Sequence, residues 1–154
     1  MGAEQKLEEL GLKLSTPSAP PPGRANAVRT GNLLFVGGHG PNVPGGEALN
    51  SGKLGQGVTV EQGYAAAQQA MLNCLSAVKA ELGDLDKVSR VVKLLCMVNS
   101  APDFGDQPKV ANGATDLLAK IYGDRGGHAR SAVGMGGLPN GICIEIEMIV
   151  EVGA

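Results

Sequence analysis

Arg130 stands fifteen residues before Glu145, inside the closing stretch HARSAVGMGGLPNGICIEIEMIVEV at residues 128–152. An arginine presents a planar fork of N–H donors that can hold a carboxylate through two hydrogen bonds. Arg130 ends the glycine loop GDRGGHAR, a place from which a guanidinium can reach into a cleft, although an ordinary surface arginine fits the same position. Glu145 lies in an apolar run. A carboxylate there, if shielded from water, needs a cationic or hydrogen-bonding partner. The remaining candidates are few. Only His39 and His128 are present, so no His-rich metal site is expected. Cys74, Cys96 and Cys143 are odd in number and have no CxxC spacing, which reads as reduced, buried thiols of a cytosolic protein.

The elements that must position these residues are legible from periodicity. Within Ile142–Val152 the even-numbered residues, from Ile142 to Val152, point one way. Cys143, Glu145, Glu147, Ile149 and Glu151 point the other. One face is a core face. The acid-bearing face either meets water, where acids deter edge pairing, or is covered by another subunit. Residues 24–38 read as two strands around the turn Thr30-Gly31-Asn32, the second strand Leu33–Val36 being apolar enough to be buried on both faces. A glycine-rich loop follows over 38–57. Thr59 and Gln62 form a capping-box pattern that opens a helix ending at Gly83, with Tyr64, Met71, Leu75, Val78 and Leu82 on one face. Residues 88–98 read as a strand, and Asp103–Tyr122 as a second helix with Val110, Ala114, Leu117, Leu118 and Ile121 inward and Pro108 in its first turn. The last two strands are joined across Leu138-Pro139-Asn140-Gly141, where Asn-Gly is a turn signal. His128 sits in the glycine loop and is expected to be solvated. At the other end, residues 3–10 read as a short helix with Leu7 and Leu10 on one face, followed by an irregular Pro/Ser segment at 15–23.

The order β-β-α-β-α-β-β implies an α+β fold, a mixed sheet with two main helices packed on one face, in a single domain over residues 1–154. The chain is 43% hydrophobic but only 3% aromatic, so aliphatic residues must fill the core. A net charge of −2 offers no basic footprint for nucleic acid. The acidic N-terminus lacks the basic start of a signal peptide, and no apolar run reaches membrane-spanning length. A cytoplasmic protein with no membrane partner is expected.

Three stretches together resemble a known family. RSAVGMGGLPNGICIEIEMIVEV is similar to the C-terminal signature of the YjgF/RidA family, also described as L-PSP endoribonuclease-like: an Arg, a strand, Leu-Pro, then an acid-bearing Ile-Glu-Ile-Glu strand. RTGNLLFVGGHGP resembles the family's N-terminal strand pair, and the long helix followed by LGDLDKVSRVVKLLCMV also matches, as does Asn112. The resemblance covers about residues 14–152 and leaves the N-terminal helix at 3–10 as an extra. It implies a chorismate-mutase-like fold and a homotrimer with clefts between subunits. It implies hydrolysis of small enamines and imines, such as 2-aminoacrylate, to 2-oxo acids and ammonia, with no metal or organic cofactor. On the same ground Arg130 would clamp the carboxylate of a small-molecule substrate and Glu145 would orient the attacking water. Arg24, Gly37, Gly38, His39 and Asn112 would line the substrate site.

The chain departs from the family pattern at several of these positions. Arg24 stands where typical deaminases carry Tyr, Gly37 where they carry Ser, His39 where they carry Gln, and Ala132 where Cys is frequent. Gly37 and Gly38 allow a close approach of backbone N–H groups. His39 is either a substitute proton shuttle or a packed loop histidine. Asn112 bonds either a ligand or a neighbouring loop. Besides the deaminase, two functions stay open. One is a non-catalytic ligand-binding or regulatory trimer that keeps the Arg130 clamp. The other is an endoribonuclease, which the charge balance and scarce aromatics disfavour.

Overall fold

The computed structural model describes residues 2–153. Its elements are α1 (Ala3–Glu9), β1 (Ala27–Thr30), β2 (Leu33–His39), β3 (Lys53–Leu54), β4 (Gly57–Val58), α2 (Val60–Leu82), β5 (Val88–Asn99), α3 (Gln107–Tyr122), β6 (Ala129–Met135) and β7 (Ile144–Val152). Five strands form one sheet in the order β1-β2-β7-β5-β6. Every pairing in it is antiparallel except β5 with β6, so the sheet is mixed and the fold is α+β. β3 and β4 form a separate two-stranded ladder inside the segment expected to be a plain loop.

The helices form where local chemistry requires them. The Thr59 side chain accepts from the Gln62 backbone, Gln62 reaches back to the Thr59 N–H at 2.9 Å, and Gly83 ends α2 with φ +82°. Of the face expected to turn inward, Met71, Leu75, Val78 and Leu82 are buried, while Tyr64 is half-buried and donates its hydroxyl to Asp116. α3 begins at Gln107, four residues later than expected, because Phe104 turns back to bond Ala101 and Pro108 fits only the first turn. All five residues expected to face inward on α3 are buried. α1 ends at Glu9 rather than at residue 10. Leu7 is buried, but Leu10 is 43% exposed and lies off the packed face. The Ala3 N–H, bonded to Asp86 at 2.7 Å, ties this helix down.

β7 is a central strand, between β2 and β5. Ile144, Ile146, Met148, Val150 and Val152 are buried, with Leu94, Cys96 and Val98 of β5 alongside them in register. The Asn140-Gly141 turn stands, with φ +58° and +69°, and the connection from β6 to β7 carries the chain over β5. Two expectations require correction here. Cys143 precedes the strand and is fully buried instead of sharing the acid face. β2 is buried on one face only, since Phe35 is 43% exposed between buried Leu34 and Val36. The apolar run alone could not reveal that its second face lacks cover within one chain.

α2 and α3 lie against each other on the core face of the sheet, and Gly113 lets them approach. A Cβ there would overlap the Tyr64 carbonyl oxygen and come within 2.9 Å of its carbon. Backbone cannot move aside as a side-chain tip can. Gly113→Ala is therefore expected to destabilise the fold by about 1–3 kcal/mol despite alanine's better helix propensity. Urea denaturation reads this directly, and an unchanged midpoint would refute so close an approach.

Candidate functional site

The sheet separates the candidate residues into two groups. The first gathers at the bulged end of β2, where the β2–β7 register shifts between Val36 and His39. Here Arg24, Gly37, Gly38, His39 and Glu145 line one cleft of about 770 Å³, together with the 15–19 segment and Asn73 of α2. Asn73 braces the cleft wall by donating to the Gly40 and Asn42 carbonyls at 2.9 Å. Glu145 alternates with buried Ile144 and Ile146, so it belongs to the sheet face opposite the helices, and it is half-buried. The absence of a side chain at Gly38 makes room for it: a Cβ at Gly38 would overlap the Glu145 carboxylate. Gly37 differs from expectation. Its N–H is already committed to the Asn26 carbonyl at 3.0 Å and is not free for a ligand. The His39 ring is half-buried, with Nδ1 2.6 Å from the Gly37 carbonyl, which leaves Nε2 without a partner among the described residues.

The second group lies across the sheet. Arg130 projects from β6 toward α3. Its Nη1 donates to Asn112 Oδ1 at 2.8 Å and to Thr115 Oγ1 at 3.0 Å. Its Nη2 approaches the Pro108 carbonyl only at 3.5 Å. Within the chain Asn112 holds the arginine through its Oδ1 instead of bonding a neighbouring loop. Within one chain Arg130 and Glu145 do not meet. They sit on opposite faces of the sheet, with β5 between their strands, and two strand spacings amount to about 10 Å.

Three participants escaped sequence reading: Thr115, the Pro108 carbonyl and His128. The signal for two of them was present. Asn112 and Thr115 are three apart on α3, hence neighbours on one helix face. His128 is two residues before Arg130, hence on the same side of the chain as it enters the strand. His128 is not solvated as expected. It is half-buried, with Nε2 3.1 Å from Thr115 Oγ1 and Nδ1 2.6 Å from the Gly126 carbonyl.

No carboxylate pairs with Arg130 among the described residues, where the ion pairs are Lys79–Glu4 and Lys109–Asp106. Nor do three His, Cys, Asp or Glu side chains come together there in a way that could hold a metal ion. Among the described residues no helix is long and apolar enough to cross a membrane. The cysteines are free and buried. Burial pushes the Cys96 thiol up to about 11, against a smaller lowering by Arg130, and pushes Cys143 up to about 11; burial raises Cys74 as well. A raised value keeps each group a thiol at neutral pH, and the thiolate is the reactive form. Ellman's reagent at pH 7.5 should find no reactive thiol in the native protein and all three after denaturation. Prompt native labelling would contradict the burial.

Comparison with known proteins agrees with this architecture. The family described as YjgF/chorismate mutase-like, putative endoribonuclease, matches residues 5–151. The chain belongs to the YjgF/RidA family. Protein TCP17 of Trypanosoma cruzi is 44% identical over 94% of this chain and 91% of its own. Among solved structures, Atu1372 of Agrobacterium tumefaciens, a protein of unknown function, is 41% identical with a TM-score of 0.91, covering 97% of this chain and 92% of that one. RidA from the Antarctic bacterium Psychrobacter is 23% identical with a TM-score of 0.62, covering 91% and 97%. This YjgF/RidA chain thus shares its fold with RidA but superposes far more closely on Atu1372.

Proposed function

We propose that this protein is a homotrimeric enamine/imine hydrolase that converts small amino-acid-derived intermediates of the 2-aminoacrylate class to 2-oxo acids and ammonia. The observation that carries the reading is Arg130. Asn112 and Thr115, both neutral, occupy the two N–H groups of Nη1. No described residue accepts from Nε, and Nη2 has only a long contact. One edge of the fork is held by the protein and the other remains for a planar carboxylate. A half-buried cation held by neutral groups favours an anionic ligand.

Because Glu145 lies on the opposite face, the complete site needs two copies of the chain. The outer sheet face supports such an assembly. Val28, Phe35 and Val133 are 57%, 43% and 40% exposed there, and a depression of about 430 Å³ is lined by Val28, Phe35, Leu95 and Ile149 with Lys93 and Glu147 at hand. Apolar groups concentrated on one sheet face mark an interaction surface. In the proposed trimer, Arg130 of one copy holds the substrate carboxylate while Glu145 of its neighbour orients water against the imine carbon. Water adds to the C=N carbon while one of its protons passes through Glu145 to nitrogen, giving the amino alcohol; Glu145 then carries the hydroxyl proton to the same nitrogen as the C–N bond breaks, leaving the ketone and ammonia. The imine carbon is already electrophilic, so positioning and proton transfer supply most of what is required.

A second reading, a ligand-binding trimer without turnover, draws on the cleft residues Arg24, Gly37 and His39, which differ from the deaminase pattern. Ammonia release from freshly generated 2-iminobutyrate, measured beside sedimentation mass, tests both. Turnover by a trimer is expected. Binding of 2-oxobutyrate without turnover would select the second reading, and a monomer at micromolar concentration would remove the shared cleft. Degradation of RNA by metal-free, highly purified protein would instead favour the endoribonuclease.

A further inference from the structure

We propose that Thr115 and His128 are positioning residues for Arg130, forming a directed hydrogen-bond chain that sets which edge of the guanidinium a carboxylate meets. The inference rests on the reading of Arg130 as a carboxylate clamp, but the chain of contacts stands on its own geometry. His128 Nδ1 lies 2.6 Å from the Gly126 carbonyl, which has no proton to give, so Nδ1 carries the hydrogen. In the neutral ring Nε2 is then an acceptor. Thr115 Oγ1, 3.1 Å away, donates its single hydrogen to it. Both lone pairs of the Thr115 oxygen are thereby free to receive the Arg130 Nη1 hydrogen at 3.0 Å. Direction runs one way, from Arg130 through Thr115 and His128 to the Gly126 carbonyl.

The chain matters because threonine in a helix has an alternative. Its hydroxyl can rotate to bond the carbonyl one turn back, and the side chain divides between two rotamers for that reason. For Thr115 that carbonyl belongs to Ala111. An acceptor at His128 Nε2 favours the rotamer that faces Arg130. With Asn112 Oδ1 at 2.8 Å taking the other Nη1 hydrogen, that nitrogen is saturated. The Nε and Nη2 hydrogens, which point in parallel, are what remains for a ligand. Loss of the Thr115 oxygen would free Nη1 to compete for the carboxylate and let the guanidinium turn, so binding would suffer while the proton-transfer groups on the other sheet face stayed in place.

The test compares wild type with Thr115→Val, Thr115→Ser, His128→Phe and the Thr115→Val/His128→Phe double variant, all checked for a native circular dichroism spectrum and trimer mass. By titration calorimetry, Thr115→Val should weaken 2-oxobutyrate about tenfold, the usual scale for a bond to a charged group, and Thr115→Ser should recover most of it. His128→Phe should weaken binding by about threefold, and the double variant should match Thr115→Val alone, because His128 acts only through Thr115. In 2-iminobutyrate turnover KM should rise with kcat nearly unchanged. Unaltered affinity in Thr115→Val, or losses that simply add in the double variant, would overturn the proposal. An independent arm uses nitrogen-15 NMR of the side chains. It should show the Nδ1–H tautomer of His128 in wild type and altered Arg130 guanidinium signals in Thr115→Val. If wild type binds no 2-oxobutyrate, the proposed function fails and the NMR arm alone decides the positioning: another tautomer, or unchanged Arg130 signals, ends it.

Discussion

Arg130→Lys is expected to weaken binding of small 2-oxo acids by about ten- to a hundred-fold, the loss of one or more charge-assisted hydrogen bonds. The substitution keeps the positive charge, so simple electrostatic attraction survives. What disappears is the planar fork. An ammonium at the end of a lysine stem cannot satisfy Asn112 and Thr115 on one side and a carboxylate on the other in fixed directions, since its three donors radiate from one point. Titration calorimetry with 2-oxobutyrate measures the effect. An unchanged affinity would mean that the guanidinium is only a brace between β6 and α3, and the carboxylate-clamp reading would be abandoned. A lysine variant that unfolds would be distinguished by its circular dichroism before any titration.

Glu145→Gln should lower turnover of 2-iminobutyrate by about a hundred- to ten-thousand-fold, the range that a positioned general acid–base group contributes. Glutamine has nearly the shape of glutamate and fits the space left by the missing side chain of Gly38. The substitution therefore removes the proton-accepting carboxylate while disturbing the cleft little, and KM should move much less than kcat. Gly38→Ala provides a geometric complement, because the added methyl would displace the carboxylate and reduce turnover without changing its chemistry. Retention of wild-type kcat in Glu145→Gln would exclude Glu145 as the base, and the Nε2 face of His39 in the same cleft would become the group to replace next.

Much of the architecture was legible because it depends on local chemistry. The capping box at Thr59 and Gln62, the left-handed stop at Gly83 and the alternation along Ile144–Val152 are properties of neighbouring residues, and each stands in the structure where its pattern placed it. The buried thiols were readable from their odd number and the lack of any CxxC spacing. What the local pattern left open shares one cause. A turn residue specifies a bend and not the strand that will lie beside it, and β5 took the place between β6 and β7. β2 was expected to be covered twice because an apolar run records demand for burial, not the body that supplies it.

The candidate site shows the same division. Residue type and spacing singled out Arg130 and Glu145, because a fork and a carboxylate are chemical facts of single residues, and the resemblance to the YjgF/RidA family added Asn112 and the glycines. Their grouping was not determined at that level. Whether Asn112 met a ligand, a loop or the arginine depended on α3 lying over β6, and whether His128 was solvated depended on Thr115 reaching it across the same gap. That Arg130 and Glu145 lie on opposite faces follows from which strands flank β5 and from the phase of each strand's alternation. The sequence by itself determined the elements, their caps and the chemistry available. Only the tertiary structure decided which of those groups share a face, because that choice depends on pairings between residues far apart in the chain.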